Sequence, residues 1–347
     1  MRLLIVTNMG PKPSAPFQGQ FVRNQVDALS ALHPDYFCMT WHNDSTLNRL
    51  LKYPVLWLQF VWRYVLSRQT FDIIHVHYYY PTIWLALTYR WLRNPKVQIV
   101  VTFHGSDIYL YKPESRLYKF AAKFVNHSIF TSDSLKAKFF RSDIASSVLP
   151  AGIHPVFANV QALAPSEKHY DLLYVGTMDQ NKGMDRLIEL LKRQPSLRVA
   201  LVGEGPWRDK VQQAILGRDN VQFLGGQSPA QLAELYRHSR CFLSLSRNES
   251  FGLVMTEAMA CGTPVIATLT DGAKAQVRDG DNGYKVAQDN EQAVVSLLEQ
   301  RIHQLFSLSD AEYQQMQQRC QTSAKPYLVT SVASVLTELY QSISAKV

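Results

Sequence analysis

At 347 residues the chain is longer than one ordinary hydrophobic core sustains, which implies two domains. A composition of 46% hydrophobic and 18% charged residues excludes a disordered chain, and no uncharged run is long enough to cross a bilayer. The net charge of +8 is unevenly placed: residues 1–150 hold 17 Lys and Arg against 8 Asp and Glu, residues 151–347 hold 19 against 20, so the excess belongs to the first half.

A basic half calls for an anionic surface as partner. Helix-turn-helix, zinc-finger and aromatic RNA-binding patterns are missing from the sequence, which puts an anionic membrane ahead of nucleic acid. Cys38, Cys241, Cys261 and Cys320 are scattered with no C-x-x-C pair, so neither a disulfide framework nor a zinc site is indicated.

In chain order, Leu3 to Asn8 predicts a first strand rather than a leader peptide. It runs into a proline- and glycine-rich loop, Met9 to Val22, and an amphipathic helix through Phe21, Val22, Val26 and Leu29. Doubly wound folds place ligands at such a turn, and the absence of G-x-G-x-x-G argues against a dehydrogenase. Leu50 to Leu66 carries Trp57, Phe60, Trp62 and Tyr64 among Lys52, Arg63 and Arg68; it fits a core-packed helix or one lying in a bilayer interface. Asp72 to Pro81 is a strand on which His75 and His77 face one side, and Gln98 to His104 is another, ending at Gly105-Ser106-Asp107. Strands follow at His127 to Ser132 and Ser147 to Leu149, and the polar stretch Val160 to His169 has the composition of a hinge.

The second half repeats the pattern. Leu172 to Gly176 is a strand, followed by a loop holding Lys182 and Gly183 and a helix through Leu187, Leu190 and Leu191. Strand, cationic loop and helix N-terminus together form a holder for a diphosphate. Leu197 to Val202 and Val221 to Gly225 are strands ending in glycine turns, the first at Gly203-Glu204-Gly205. Cys241 to Ser246 is a buried strand, Glu249 stands on the loop after it, Gly252 admits close backbone approach, and Glu257 lies inside the next helix. Two carboxylates and a helix start suit a sugar nucleotide, which has hydroxyls at both ends of a diphosphate. Asp279-Gly280-Asp281 is a D-x-D string whose Asn282-Gly283 neighbours make it a turn. From Glu291 the chain is helical.

The run from Glu249 through Phe251-Gly252 to Glu257-Ala258-Met259-Ala260-Cys261-Gly262-Thr263-Pro264-Val265 resembles, apart from Ser250, the E-x(7)-E signature of retaining glycosyltransferases of family 4. Pro13-Ser14-Ala15-Pro16 through Gly19 to Val22, Thr102-Phe103-His104-Gly105-Ser106-Asp107, Gly203-Glu204-Gly205-Pro206 and Phe223-Leu224-Gly225 are similar to further segments of that family. The resemblance implies an α/β GT-B fold: two doubly wound Rossmann-like domains facing a cleft. Residues 1–155, joined by a crossing C-terminal helix at about 326–347, would take the acceptor, and residues 156–325 the nucleotide sugar. It implies a glycosyltransferase of hexosyltransferase type moving sugar with retention from a UDP- or GDP-sugar to a glycan or lipid-linked acceptor in cell-surface polysaccharide synthesis.

Residue by residue, the resemblance assigns Glu249, His104 and Lys182 to catalysis. Gly19, Lys182, Gly183, Gly203, Gly225, Phe251, Gly252, Leu253, Val254 and Glu257 go to the donor, and His77 and Asp107 to the acceptor side, Asp107 equally serving as a structural cap. Neither metal nor cofactor is expected. The expected partners are the nucleotide sugar, the acceptor and an anionic membrane surface, with no nucleic acid, and the expected location is cytoplasmic and peripheral on the inner face of the cytoplasmic membrane. Thr177 stands where the family commonly has Arg, leaving Arg186 or another cation to compensate, and Ala275 replaces a common Glu. These departures keep a non-catalytic nucleotide-sugar-binding scaffold in view, and a nucleotide-sugar epimerase is the other alternative.

Overall fold

The computed structural model describes residues 1–11, 18–39 and 45–345. The chain divides into two compact units, Ile153–Leu328 and a first unit in which Met1–Gly152 is joined by the last helix, Val329–Ser344. Each holds one six-stranded sheet.

The first sheet is built from β1 (Leu3–Thr7), β2 (Asp35–Cys38), β3 (Ile73–His77), β4 (Gln98–Phe103), β5 (His127–Phe130) and β6 (Ser146–Val148). All pairings are parallel, in the order β2-β1-β3-β4-β5-β6. β1 and β3 are buried on both faces, as a parallel strand between helical layers must be, and so their sequences read as continuous runs instead of alternating ones. One face, with Leu4, Val6, Ile74 and Phe103, packs on Phe60, Tyr64, Ile83 and Tyr118. The other, with Leu3, Ile5, Ile73 and Val100, packs on Val22 and Val26 of the helix Gln20–Ala28 and on Val332, Leu336 and Tyr340 of the last helix. The predicted helix at Leu50 to Leu66 is real: Thr46–Phe60 continues through a wider turn, Val61–Val65, and Leu56, Phe60 and Tyr64 enter the core.

The second sheet contains β7 (Tyr170–Val175), β8 (Val199–Val202), β9 (Val221–Gly225), β10 (Ser239–Ser244), β11 (Val265–Thr268) and β12 (Gly283–Val286). Their order is β12-β11-β10-β7-β8-β9, again all parallel. The order reverses between β7 and β10, so the connections leaving these neighbours run in opposite directions and open a crevice at their carboxyl ends.

The polar stretch Val160 to His169 is not a hinge. It lies inside the second unit, where Gln317 and Gln321 donate to the carbonyls of Leu163 and Val160 and Lys168 is buried. The D-x-D string is likewise a turn: Asp279 pairs with Lys285, and Asp281 with Arg278 and Arg319.

Candidate functional site

The predicted phosphate-side and sugar-side groups of the second unit leave the carboxyl ends of β7 and β10, and the two loops are stitched together. Arg247 N–H donates to the Asn181 carbonyl at 2.7 Å, Asn248 N–H to Asn181 Oδ1 at 3.2 Å, and Asn181 Nδ2 back to the Asn248 carbonyl at 3.2 Å. Lys182 N–H donates to Asp179 Oδ1 at 2.8 Å, which sets the bend of its loop. Across the seam Lys182 Nζ donates to Glu249 Oε2 in an ion pair. The lysine side chain is 27% exposed and the glutamate 17%, so both remain reachable from solvent. Gly183 has φ +73, and a Cβ there would stand 2.3 Å from the Leu245 carbonyl oxygen. Only glycine brings the start of the helix Met184–Arg193 this close to the end of β10.

Arg186 does not compensate for Thr177. Its guanidinium is buried and bonded to Glu291, to Gln288 at 2.9 Å and to the Leu245 carbonyl at 3.1 Å. Arg247, absent from the predicted site, turns out to buttress it, gripping Asp185 through two bonds of 2.9 and 2.7 Å and Glu291 at 2.5 Å. Its signal in the sequence was its place two residues before Glu249.

Gly252, at φ +79, caps the helix Leu253–Ala260, whose first turn holds the half-buried Leu253 and Val254. The neighbouring Glu249 carbonyl accepts Gly272 N–H at 2.9 Å. Phe251 is an anchor: its ring is buried edge-on to Tyr327 at 5.3 Å, and its carbonyl accepts Gln276 Nε2 at 2.5 Å. Ala275, beside that glutamine, is exposed. Gly203 and Gly225 stand on the same carboxyl edge, joined by Gly203 N–H to the Gly225 carbonyl at 3.0 Å.

Glu257 accepts a bond from Tyr236 Oη at 3.2 Å, a partner the sequence did not suggest. Burial pushes its carboxyl up to about 7, against the smaller opposing effect of that bond. If Glu257 grips a ribose as the carboxylate, affinity for a nucleotide sugar rises as pH is taken from 6 to 8, a range in which a sugar-linked diphosphate does not titrate. Calorimetry of wild type and Glu257→Gln checks this: the variant's affinity is flat over that range, and a flat wild-type profile removes the role.

In the first unit the loops after β3 and β4 meet. His104 lies against Tyr78 and Phe21, with ring centroids 4.5 and 5.1 Å away. Beneath it the fully buried His77 places Nδ1 3.1 Å from His104 Nε2. His77 therefore supports His104 and does not itself face an acceptor. Burial holds His104 at about 3 and His77 well below the ordinary histidine value, so both rings are neutral near pH 7. His77 Nε2 is buried with no partner among the described residues. A bare lone pair there costs less than an orphaned N–H, which assigns the His77 proton to Nδ1 and leaves His104 accepting at Nε2 and carrying its own proton on Nδ1. His75 is structural, bonded to Tyr340 Oη at 2.6 Å and Thr102 Oγ1 at 2.7 Å.

Of the two roles open to Asp107, the geometry supplies the cap. The carboxylate is 2% exposed and accepts the backbone N–H groups of Tyr79, His104 and Gly105 at 3.1, 3.0 and 2.9 Å. Gly19, at φ +79, begins the helix Gln20–Ala28, and the Pro13 to Phe17 part of its motif lies outside the described residues.

Residues 157–322 match the family model of glycosyl transferases group 1, and residues 28–156 match that of glycosyltransferase family 4. Among curated proteins, the N-acetyl-alpha-D-glucosaminyl L-malate synthase of Bacillus anthracis is 28% identical over 251 residues, 63% of this chain and 62% of that one. The match thus spans less than two thirds of that relative's length. Among solved structures, sucrose-phosphate synthase from Thermosynechococcus elongatus superposes with a TM-score of 0.78 at 20% identity over 100% of both chains. Anabaena Alr3699/HepE, in complex with UDP and glucose, superposes with a TM-score of 0.74 at 18% identity over 99% of this chain and 100% of that one.

Proposed function

This chain belongs to the group 1, family 4 glycosyltransferases and has their GT-B fold, and from that premise we propose that it moves a sugar from a UDP- or GDP-sugar to a glycan or lipid-linked acceptor with retention of configuration. The observation that carries the reading is the Lys182–Glu249 ion pair at the carboxyl ends of β7 and β10, where the strand order reverses. A cation fixed there meets the demand of the chemistry, since negative charge grows on the departing nucleoside diphosphate as the glycosidic bond breaks. Lys182 stabilises that charge. Glu249, released toward the donor when its lysine turns to phosphate, orients the sugar hydroxyls and steadies the electron-poor anomeric carbon. His104 donates a hydrogen bond to the sugar, and Glu257 holds the ribose.

With a lysine and helix N-termini carrying the charge, the reaction proceeds without a metal ion. We place it at the inner face of the cytoplasmic membrane, in polysaccharide assembly, where a lipid-linked acceptor is presented. Release of nucleoside diphosphate from a panel of UDP-, GDP- and ADP-sugars, with membrane extract as acceptor, tests the reading. Release from a UDP- or GDP-sugar that depends on acceptor and is unchanged by EDTA is the expected outcome. Tight donor binding with no turnover would mark a scaffold, and an altered donor sugar without acceptor would mark an epimerase.

A further inference from the structure

The helix that packs Leu56, Phe60 and Tyr64 into the first unit turns an equally apolar line outward. Leu47, Leu51, Val55, Leu58, Trp62 and Leu66 recur at intervals of three and four, which places them on one face, and they are 65, 44, 44, 60, 78 and 66% exposed. Scattered exposed apolar residues are ordinary; six in line along one helical stretch are not. The stripe continues sideways. Trp57 Nε1 donates to Thr88 at 2.9 Å, joining this helix to Tyr79–Leu92, whose Trp91 and Leu92 are 48 and 67% exposed. Trp91 in turn meets Phe124 at 5.6 Å, just past the helix Arg116–Ala122, which exposes Leu117 and Phe120 beside Arg116, Lys119 and Lys123.

We propose that this face of the first unit is a shallow insertion surface for an anionic phospholipid leaflet, with the leucines and Trp62 among the upper acyl chains and the flanking cations on the phosphates. The charge pattern selects this occupant. No Asp or Glu occurs between residues 45 and 71, while Lys52, Arg63 and Arg68 border the stripe. A second copy of the chain docked face to face would set those cations against their own counterparts. Anionic headgroups neutralise them, and the indole rings suit the headgroup level. This surface deepens the proposed function, resting on it for its purpose and not for its existence.

Co-flotation with vesicles of phosphatidylglycerol and phosphatidylethanolamine, set against pure phosphatidylcholine, tests it on the full chain. Wild type is expected to float with the anionic vesicles and not the zwitterionic ones. Binding is expected to weaken roughly fivefold for each of Arg63→Ser and Arg68→Ser. Leu58→Glu and Trp62→Glu each cost roughly tenfold or more. All four residues are exposed, Arg63 with its guanidinium over the Tyr64 ring at 5.3 Å, and an unchanged circular dichroism melt verifies that the variants fold. Wild type that floats with neither vesicle, or a Leu58→Glu/Trp62→Glu variant that floats as well as wild type, overturns the proposal. So does a wild-type dimer in sedimentation that this double variant abolishes without any vesicle binding. Acceptor-dependent sugar transfer to a soluble acceptor, measured alongside, separates loss of this surface from loss of the transferase reading.

Discussion

Replacing Lys182 by alanine lowers kcat by about 10²- to 10³-fold, on the scale of about 2.7–4 kcal/mol that one preorganised charge-stabilising donor supplies. The loop that holds this ammonium is fixed by Asp179, Asn181 and Arg247, none of which the substitution touches, so the fold of the site survives and the loss falls on the chemical step. KM changes less than kcat, because charge on the diphosphate is greater in the transition state than in the bound donor. Lys182→Arg restores part of the rate: it keeps the charge but replaces a compact ammonium by a planar fork in a loop shaped for the former. The ion pair couples this position to Glu249. Lys182→Ala combined with Glu249→Gln therefore costs less than the two single losses added together. Steady-state kinetics of the four proteins measures this, and wild-type kcat in Lys182→Ala would remove the site assignment.

Asp107→Ala destabilises the first unit by about 3 kcal/mol at neutral pH. Three backbone N–H groups at the ends of β3 and β4 lose their acceptor, at roughly 1–3 kcal/mol each where they are buried. Part of that is returned because a desolvated charge disappears: burial, opposed by those same amides, raises the Asp107 carboxyl to about 6 from 3.8. An acid raised on folding contributes stability that is full below its unfolded value and is lost as pH climbs through the folded one. The wild type thus gains from this group as pH falls from 7 to 5 and the alanine variant does not, and the gap between them widens by about 1.4 kcal/mol. Urea denaturation at the two pH values reads this difference. A gap that narrows toward pH 5 would show that the three amides outweigh burial at Asp107, and a variant as stable as wild type at pH 7 contradicts the assignment of the carboxylate as a cap.

Strands and their ligand-side loops are legible in this sequence because parallel strands buried on both faces leave short apolar runs, and close backbone approach leaves glycines after them. Lys182, Gly183, Glu249 and Gly252 stand out by that rule. The partners that commit a side chain elsewhere are not legible, since they lie far away along the chain. Arg186 looks like a second phosphate cation until Glu291, 105 residues on, is seen to hold it. His77 illustrates a different limit: alternation tells which side of a strand a residue faces but not how much protein covers it. Polarity misled at Val160 to His169, where hydrophilic composition coincides with backbone pinned by two glutamines of a distant helix.

The helix Val329–Ser344 covers Leu3, Ile5, Ile73 and Val100 in the sheet that the chain up to Val148 builds. During synthesis this sheet leaves the ribosome long before its cover is made, and all of Ile153–Leu328 is translated in between. An apolar surface is therefore open to chaperones and to stray strands for the whole of that delay. Protease applied to stalled nascent chains should cut the first sheet's segments until Tyr340 has emerged, and early protection would show that the sheet finds another cover.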